Sequence, residues 1–131
     1  MDLESARHAI FGHYMTGMTV DTVYENKDDI DPSDRTAPYV KLFIRLNGTA
    51  QESLGTPALI RQRGALQADV YVKKGQGTKP SYALVKQISD LFIRQNIGGV
   101  EFAIPTPLSP LEVDGWARLT IRCPFHFDSQ I

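Results

Sequence analysis

GALQADVYVKKGQGTKPSYALVKQISDLFIRQNIGG, residues 64–99, changes its hydrophobic period once, and that change decides the fold. It opens on strict alternation, with Leu66, Ala68, Val70 and Val72 on one side and Gln67, Asp69, Tyr71 and Lys73 on the other. That is the period of a strand with one face in the core. After Gly75-Gln76-Gly77-Thr78 the apolar residues Leu84, Val85, Ile88, Leu91 and Phe92 recur at helical spacing. The spacing predicts an amphipathic helix with Thr78 as N-cap and Pro80 in its first turn. Asn96 and the pair Gly98-Gly99 tolerate the left-handed backbone of a helix C-cap, and Val100 then starts another apolar run. The unit is strand, glycine loop, helix, strand.

Working outward towards the N-terminus, Asp2 is placed to cap a first helix whose stripe is Leu3, Ala6, Ile10, Phe11 and Tyr14, ending at Gly17. Residues 19–24 read as a short strand. Residues 25–36, ENKDDIDPSDRT, lack apolar periodicity and read as a polar loop. From Tyr39 to Leu46 the chain alternates again, Val40, Leu42, Ile44 and Leu46 against Tyr39, Lys41, Phe43 and Arg45. Aromatic residues on both sides imply a strand whose second face is partly covered, by this chain or another subunit. Asn47-Gly48 favours a turn, and residues 49–57 read as a hairpin tip or long loop. Leu59 to Arg63 leads into the central strand, with a bend expected at Gly64.

Towards the C-terminus, Val100 to Ile104 is a strand stopped by IPTPLSPLEVDG, whose prolines are expected to exclude ladder pairing. The last strand starts near Trp116. Ala117, Leu119, Ile121 and Cys123 alternate against Trp116, Arg118, Thr120 and Arg122, and Pro124 is expected to break the ladder before Phe125 and Phe127. The fold class that follows is α+β. We expect a single domain over residues 1–131, an antiparallel or mixed sheet of about five to six strands with two helices on one face.

Composition narrows the function. The 131 residues, 42% hydrophobic, fit one domain with an ordinary core. No apolar run approaches the roughly 20 residues that cross a bilayer, and the N-terminal MDLESARH has neither a basic nor an apolar leader region. The chain is expected to stay in the cytoplasm where it is made and to have no membrane partner. A net charge of −1 argues against a protein built to hold nucleic acid. The charge is nonetheless divided. Residues 1–35 hold eight acids and three Lys/Arg, for −5, whereas residues 36–131 hold seven acids and eleven Lys/Arg, for +4. Such a dipolar chain suits head-to-tail association, and a solvated acidic loop gives the same count.

The chemistry-bearing motifs resolve poorly into active sites. Gly75-x-Gly77-Thr78-Lys79 precedes a helix, as phosphate cradles do, but it lacks the P-loop spacing and the third glycine of the dinucleotide fingerprint. Asp28, Asp29, Asp31 and Asp34 are oxygen donors without the glycine and closing glutamate of an EF-hand loop. His8 and His13 fall off a common helical face, and His126 stands alone in the last strand. Cys123 lies in an apolar alternation and reads as a buried structural thiol. No cofactor, metal site or catalytic residue is expected, and the protein is not expected to be an enzyme. Arg61 with Arg63, and Arg118 with Arg122, fall at even spacing on strands, so each pair projects from one sheet face, where carboxylates or phosphates would meet it.

The order Leu66-Gln67, Asp69-Val70, Gly75, Gly77-Thr78, Ile88, Leu91-Phe92, Ile97 to Val100, Phe102, Pro105, Gly115-Trp116 and Pro124-Phe125-His126-Phe127 resembles the phage tail-terminator proteins, the family related to the lambda minor tail protein U. The likeness runs from about Pro38 to the C-terminus and, more loosely, over the first helix. It implies a virion protein at the junction of tail and neck, a ring of six copies that ends the tail tube, stops its polymerisation and offers a surface for head attachment. Its implied partners are itself, the tail-tube protein and a head-completion protein. Asp28, Asp29, Asp31, Gln51, Glu52, Arg61 and Arg63 are the candidate contacts between subunits or with the tube. Two alternatives remain open: a connector of the neck, and a small ligand-binding module using the Gly75 to Thr78 turn.

Overall fold

The computed structural model of the chain describes residues 1–27, 35–51 and 58–130. The sequence expectations for Asp28, Asp29, Asp31, Asp34 and Glu52 therefore fall outside the described residues. Helix α1 runs Leu3–Gly17, and the Asp2 carboxylate accepts from the Ser5 amide at 2.7 Å, the cap that the sequence asked for. Strand β1 is Asp21–Tyr24, β2 is Tyr39–Gln51 and β3 is Leu59–Lys73. Helix α2 spans Lys79–Phe92, followed by β4 (Asn96–Ile97), β5 (Val100–Phe102), β6 (Thr106–Pro107), β7 (Leu111–Val113) and β8 (Trp116–Gln130).

Among the described residues, eight strands join one mixed sheet in the order β1-β2-β3-β8-β5-β4, with β6 and β7 also paired to β8. Only β1 and β2 run parallel; the other pairings are antiparallel. The fold is α+β. Its core joins Ala6, Ile10, Phe11 and Tyr14 of α1 and Val85, Ile88 and Phe92 of α2 to the even-numbered residues of β3 and the odd-numbered ones of β8. Both helices thus lie on one face. His13 ties them together, its Nε2 2.8 Å from the Leu91 carbonyl and its ring edge-on to Phe92.

Four local expectations are corrected. Thr78 occupies the N-cap position, but its backbone is helical (φ −97°, ψ −15°) and its side chain makes no capping bond. Gly98 and Gly99, at φ +59° and +101°, form the two-residue turn joining β4 to β5 and not the C-cap of α2. The left-handed residue after α2 is Arg94, at φ +53°. Asn47-Gly48 does not turn the chain: β2 continues to Gln51, and the ladder shifts by one residue between Leu46 and Gly48, with Gly48 at φ +130°.

Gly64 pairs with Leu46, beside this shift. It allows close packing, since a Cβ there would stand 2.6 Å from the Arg45 carbonyl oxygen and 2.9 Å from Cζ of Phe125. Finally, neither proline-bearing stretch escapes the sheet. Pro124 pairs with Ala65 in an unbroken β3–β8 register, and its carbonyl accepts from Ala103 at 3.0 Å. The N and C=O of one residue point to the same side of an antiparallel strand, so the missing N–H faces β5 and no β3 bond is lost. The segment after Ile104 also bonds to β8, through Leu108 N to the Thr120 carbonyl at 2.8 Å, which spares the proline nitrogens.

Candidate functional site: a cationic sheet face

The side of the sheet away from the helices carries the odd-numbered residues of β3, and register decides what meets them. Tyr39, Tyr71 and Arg118 form one row, Lys41, Asp69 and Thr120 the next, Phe43, Gln67 and Arg122 the third, and Arg45, Ala65 and Pro124 the fourth. Lys73 and Trp116 close one end; Arg63 with His126 and Arg61 with Asp128 extend the other. Among the described residues, β2, β3 and β8 thus place seven cations on this face (Lys41, Arg45, Arg61, Arg63, Lys73, Arg118, Arg122) against two carboxylates, Asp69 and Asp128. The excess of positive charge belongs to the assembled sheet. Each of the three strands contributes to it.

Beneath the cations lies an aromatic cluster of Tyr39, Tyr71 and Trp116, at 3%, 7% and 2% exposure. Tyr39 stacks on Tyr71 at 4.8 Å and meets Trp116 edge-on at 5.1 Å. The rings position the cations above them: Lys73 Nζ is 5.1 Å from the Trp116 ring, Lys41 Nζ 5.4 Å from Tyr71, and the Arg35 guanidinium 5.5 Å from Tyr39. Arg45 lies 5.1 Å over Phe43 and donates to Gln67 Oε1 at 3.1 Å. A ring face attracts a cation without neutralising it. Asp69, at the centre, accepts from Thr120 Oγ1 at 2.7 Å and Gln67 Nε2 at 3.3 Å, so a buried carboxylate is satisfied by its own sheet.

Of the sequence-stated candidates, Arg61 and Arg63 do lie on this face. Arg61 is engaged: Nε and Nη2 donate to both oxygens of Asp128 at 2.8 and 3.0 Å, and this guanidinium holds that carboxyl below its ordinary value. Gln51 ends β2, its backbone opposite Ile60. Arg118 and Arg122, read as a separate pair, share the face with Arg61 and Arg63 because β3 and β8 run in register. Lys41, Arg45 and Lys73 were assigned only to the non-core side of their strands. Alternation gives the side, but the partners across the ladder come from long-range pairing that one strand does not encode.

Among the described residues, Cys123, His126 and His13 lie apart. Cys123 is buried, and burial pushes its thiol up to about 12. His126 contacts Glu101 at 3.0 Å on the β5 edge, remote from His13 between the helices. Among the described residues no cluster of three His, Cys, Asp or Glu side chains is placed to hold a metal, and no helix is long and apolar enough to cross a membrane. Arg7 in the hollow between α1 and the end of β1 is paired with Glu4.

No family model and no curated protein matches this chain. Solved structures do. One chain, which carries only a sequence identifier for a name, superposes with a TM-score of 0.70 over 97% of this chain and 96% of its own, at 16% identity. A likeness at that identity speaks for the fold alone.

Proposed function

We propose that this chain is a virion structural subunit of the tail-terminator type, assembling head-to-tail into a ring of about six copies on the last ring of a phage tail tube. The ring ends tube growth and presents its outer side to a head-completion protein. A closed heterologous ring needs two complementary patches on each subunit and leaves two flat sides for other partners.

The observation that carries the reading is where the residues bearing the family resemblance fall. Gly75 and Gly77, at φ +94° and +80°, shape the β3–α2 turn, and Gly98-Gly99 the β4–β5 turn. Ile88, Phe92, Phe102, Phe125 and Phe127 meet in one core, with Phe92 4.9 Å from Phe102 and Phe102 5.5 Å from Phe125. Gly115, at φ +82°, delivers Trp116 to the second cluster. The resemblance therefore rests on residues that determine the backbone path and packing, and not on scattered surface matches. The cationic sheet face on a chain whose residues 1–35 are acidic suits a subunit that binds protein surfaces.

Light scattering and electron microscopy of the protein, alone and mixed with a tail-tube protein of the same phage, test the proposal. The expected result is ring particles at high protein concentration or on tube ends. A monomer under all conditions that never decorates a tube end overturns it.

A further inference from the structure

We infer that the uncharged, proline-rich ridge of residues 104–111 on one copy docks into the aromatic-floored hollow between α1 and β1 of a second copy; the inference rests on the ring reading and names the contact that reading lacks. Both surfaces lie within the described residues.

On the ridge, Ile104, Leu108 and Leu111 are 63%, 37% and 54% exposed, and the stretch IPTPLSPL carries no charge. Its backbone is already fixed. Ala103 donates to the Pro124 carbonyl at 3.0 Å and Leu108 to that of Thr120 at 2.8 Å, while Leu111 and Val113 pair with Arg118 and Trp116. Pro105, Pro107 and Pro110 have no N–H, so the outer edge does not take a further strand and a partner has to engage side chains. Proline and leucine on a preformed extended backbone suit an aromatic-lined hollow.

Every copy carries such a hollow. It measures about 630 Å³, with the rings of Phe11 and Tyr24 5.4 Å apart at its floor and His8, Gly12 and Met15 around them, the last 56% exposed. Gly12 sits inside α1, where glycine weakens a helix relative to alanine, yet a Cβ there would meet nothing within 4 Å. Packing within its own chain does not account for the missing side chain; the close approach of another backbone does.

The two surfaces do not meet within one copy. Strand β1 edges the sheet four strand spacings from β7, about 19 Å along it, and no ridge residue lines the hollow. A ridge at one edge and a hollow at the other make a head-to-tail contact, and such contacts close into rings. Charge agrees with the pairing. Residues 95–117 hold three acids and no Lys or Arg. Glu101 is held by His126 and Glu112 by Lys74, which leaves Asp114. At the hollow Arg7 pairs with Glu4 and Glu25 accepts from the Ile44 amide, which leaves Lys27. These two remaining charges are opposite in sign.

Variants of each surface test this by sedimentation at high protein concentration and by electron microscopy of tube ends. Gly12→Leu fills the hollow with a good helix former, so its thermal unfolding should stay unchanged or shift upward while association falls by about tenfold or more. Leu108→Asp with Leu111→Asp, at exposed positions, should unfold as the wild type does and associate as poorly as Gly12→Leu. Mixing the two should give one-to-one pairs and no rings, because one intact ridge then meets one intact hollow and both remaining ends are blocked. If either variant forms rings as the wild type does, its surface is not the contact and the ring reading survives. A mixture that forms no pairs overturns the match of ridge to hollow. If the ridge variant still forms rings but no longer seats on tube ends, the ridge takes the tube protein and the second-copy assignment is overturned. Absence of wild-type association both in solution and on tubes overturns ring and contact together.

Discussion

Cys123 and Tyr14 tie the core to pH. Burial pushes the Cys123 thiol from 9.0 to about 12. Burial likewise pushes the Tyr14 hydroxyl from 10.0 to about 12, against the lowering effect of its hydrogen bond with Thr22. Both groups ionise more readily in the unfolded chain, which therefore binds fewer protons at high pH. Their contribution is fully present below pH 9 and lost as pH climbs from about 9 to about 12, by up to about 1.4 kcal/mol per pH unit for each group. Urea midpoints measured across that range should fall, first through Cys123 and then more steeply above pH 10 as Tyr14 joins. In Cys123→Ala the first part of the fall should vanish. At Gly64 the obstacle is steric, since a Cβ meets the Arg45 backbone and the Phe125 ring together. Gly64→Ala should cost about 1–3 kcal/mol, the usual size of overpacking, in the same urea titrations. Thr78→Ala should stay within about 0.5 kcal/mol, because no capping bond is there to lose.

At the level of elements, the sequence speaks clearly where period and local chemistry coincide. The stripe of α2 and the Asp2 cap of α1 stand in the structure as read, whereas the alternation of Leu66 to Val72 gives the two sides of β3 but not their burial, since Gln67, Asp69 and Tyr71 are buried as well. What misleads is a residue with several uses. Gly98-Gly99 suits a C-cap and a hairpin turn equally, and the Asn96–Glu101 ladder decides between them. Pro124 reads as a strand breaker until its orientation is known, and orientation depends on which neighbour lies on which side. The candidate site was half legible for the same reason. Arg61, Arg63, Arg118 and Arg122 were found by spacing, whereas Lys41, Arg45 and Lys73 join them only through register. The β4–β5 turn offers a direct check. Gly98, at φ +59°, sits where asparagine is tolerated, while Gly99, at +101°, lies beyond the usual left-handed region. Gly98→Asn should leave thermal stability nearly unchanged, whereas Gly99→Ala should destabilise by about 1–2 kcal/mol or more; equal effects would refute this account of the turn.

The molecule as a whole separates its charge, with acids concentrated before residue 36 and cations gathered by three strands onto one face. On the proposed ring reading, association competes with the several kcal/mol of lost rotational and translational freedom, which favours assembly on a template over assembly in dilute solution. Raising salt from about 0.05 M to 0.5 M should therefore weaken association of the isolated protein, since exposed charge pairs are screened over a few ångströms at that strength. Insensitivity to salt would mean that charge takes no part in the contact. The most direct measurement is the length of tail tubes assembled with and without this protein, read from electron micrographs. The account predicts tubes that stop growing and carry a ring at one end when the protein is present. Tubes that grow to unregulated length in its presence, with bare ends, would contradict it.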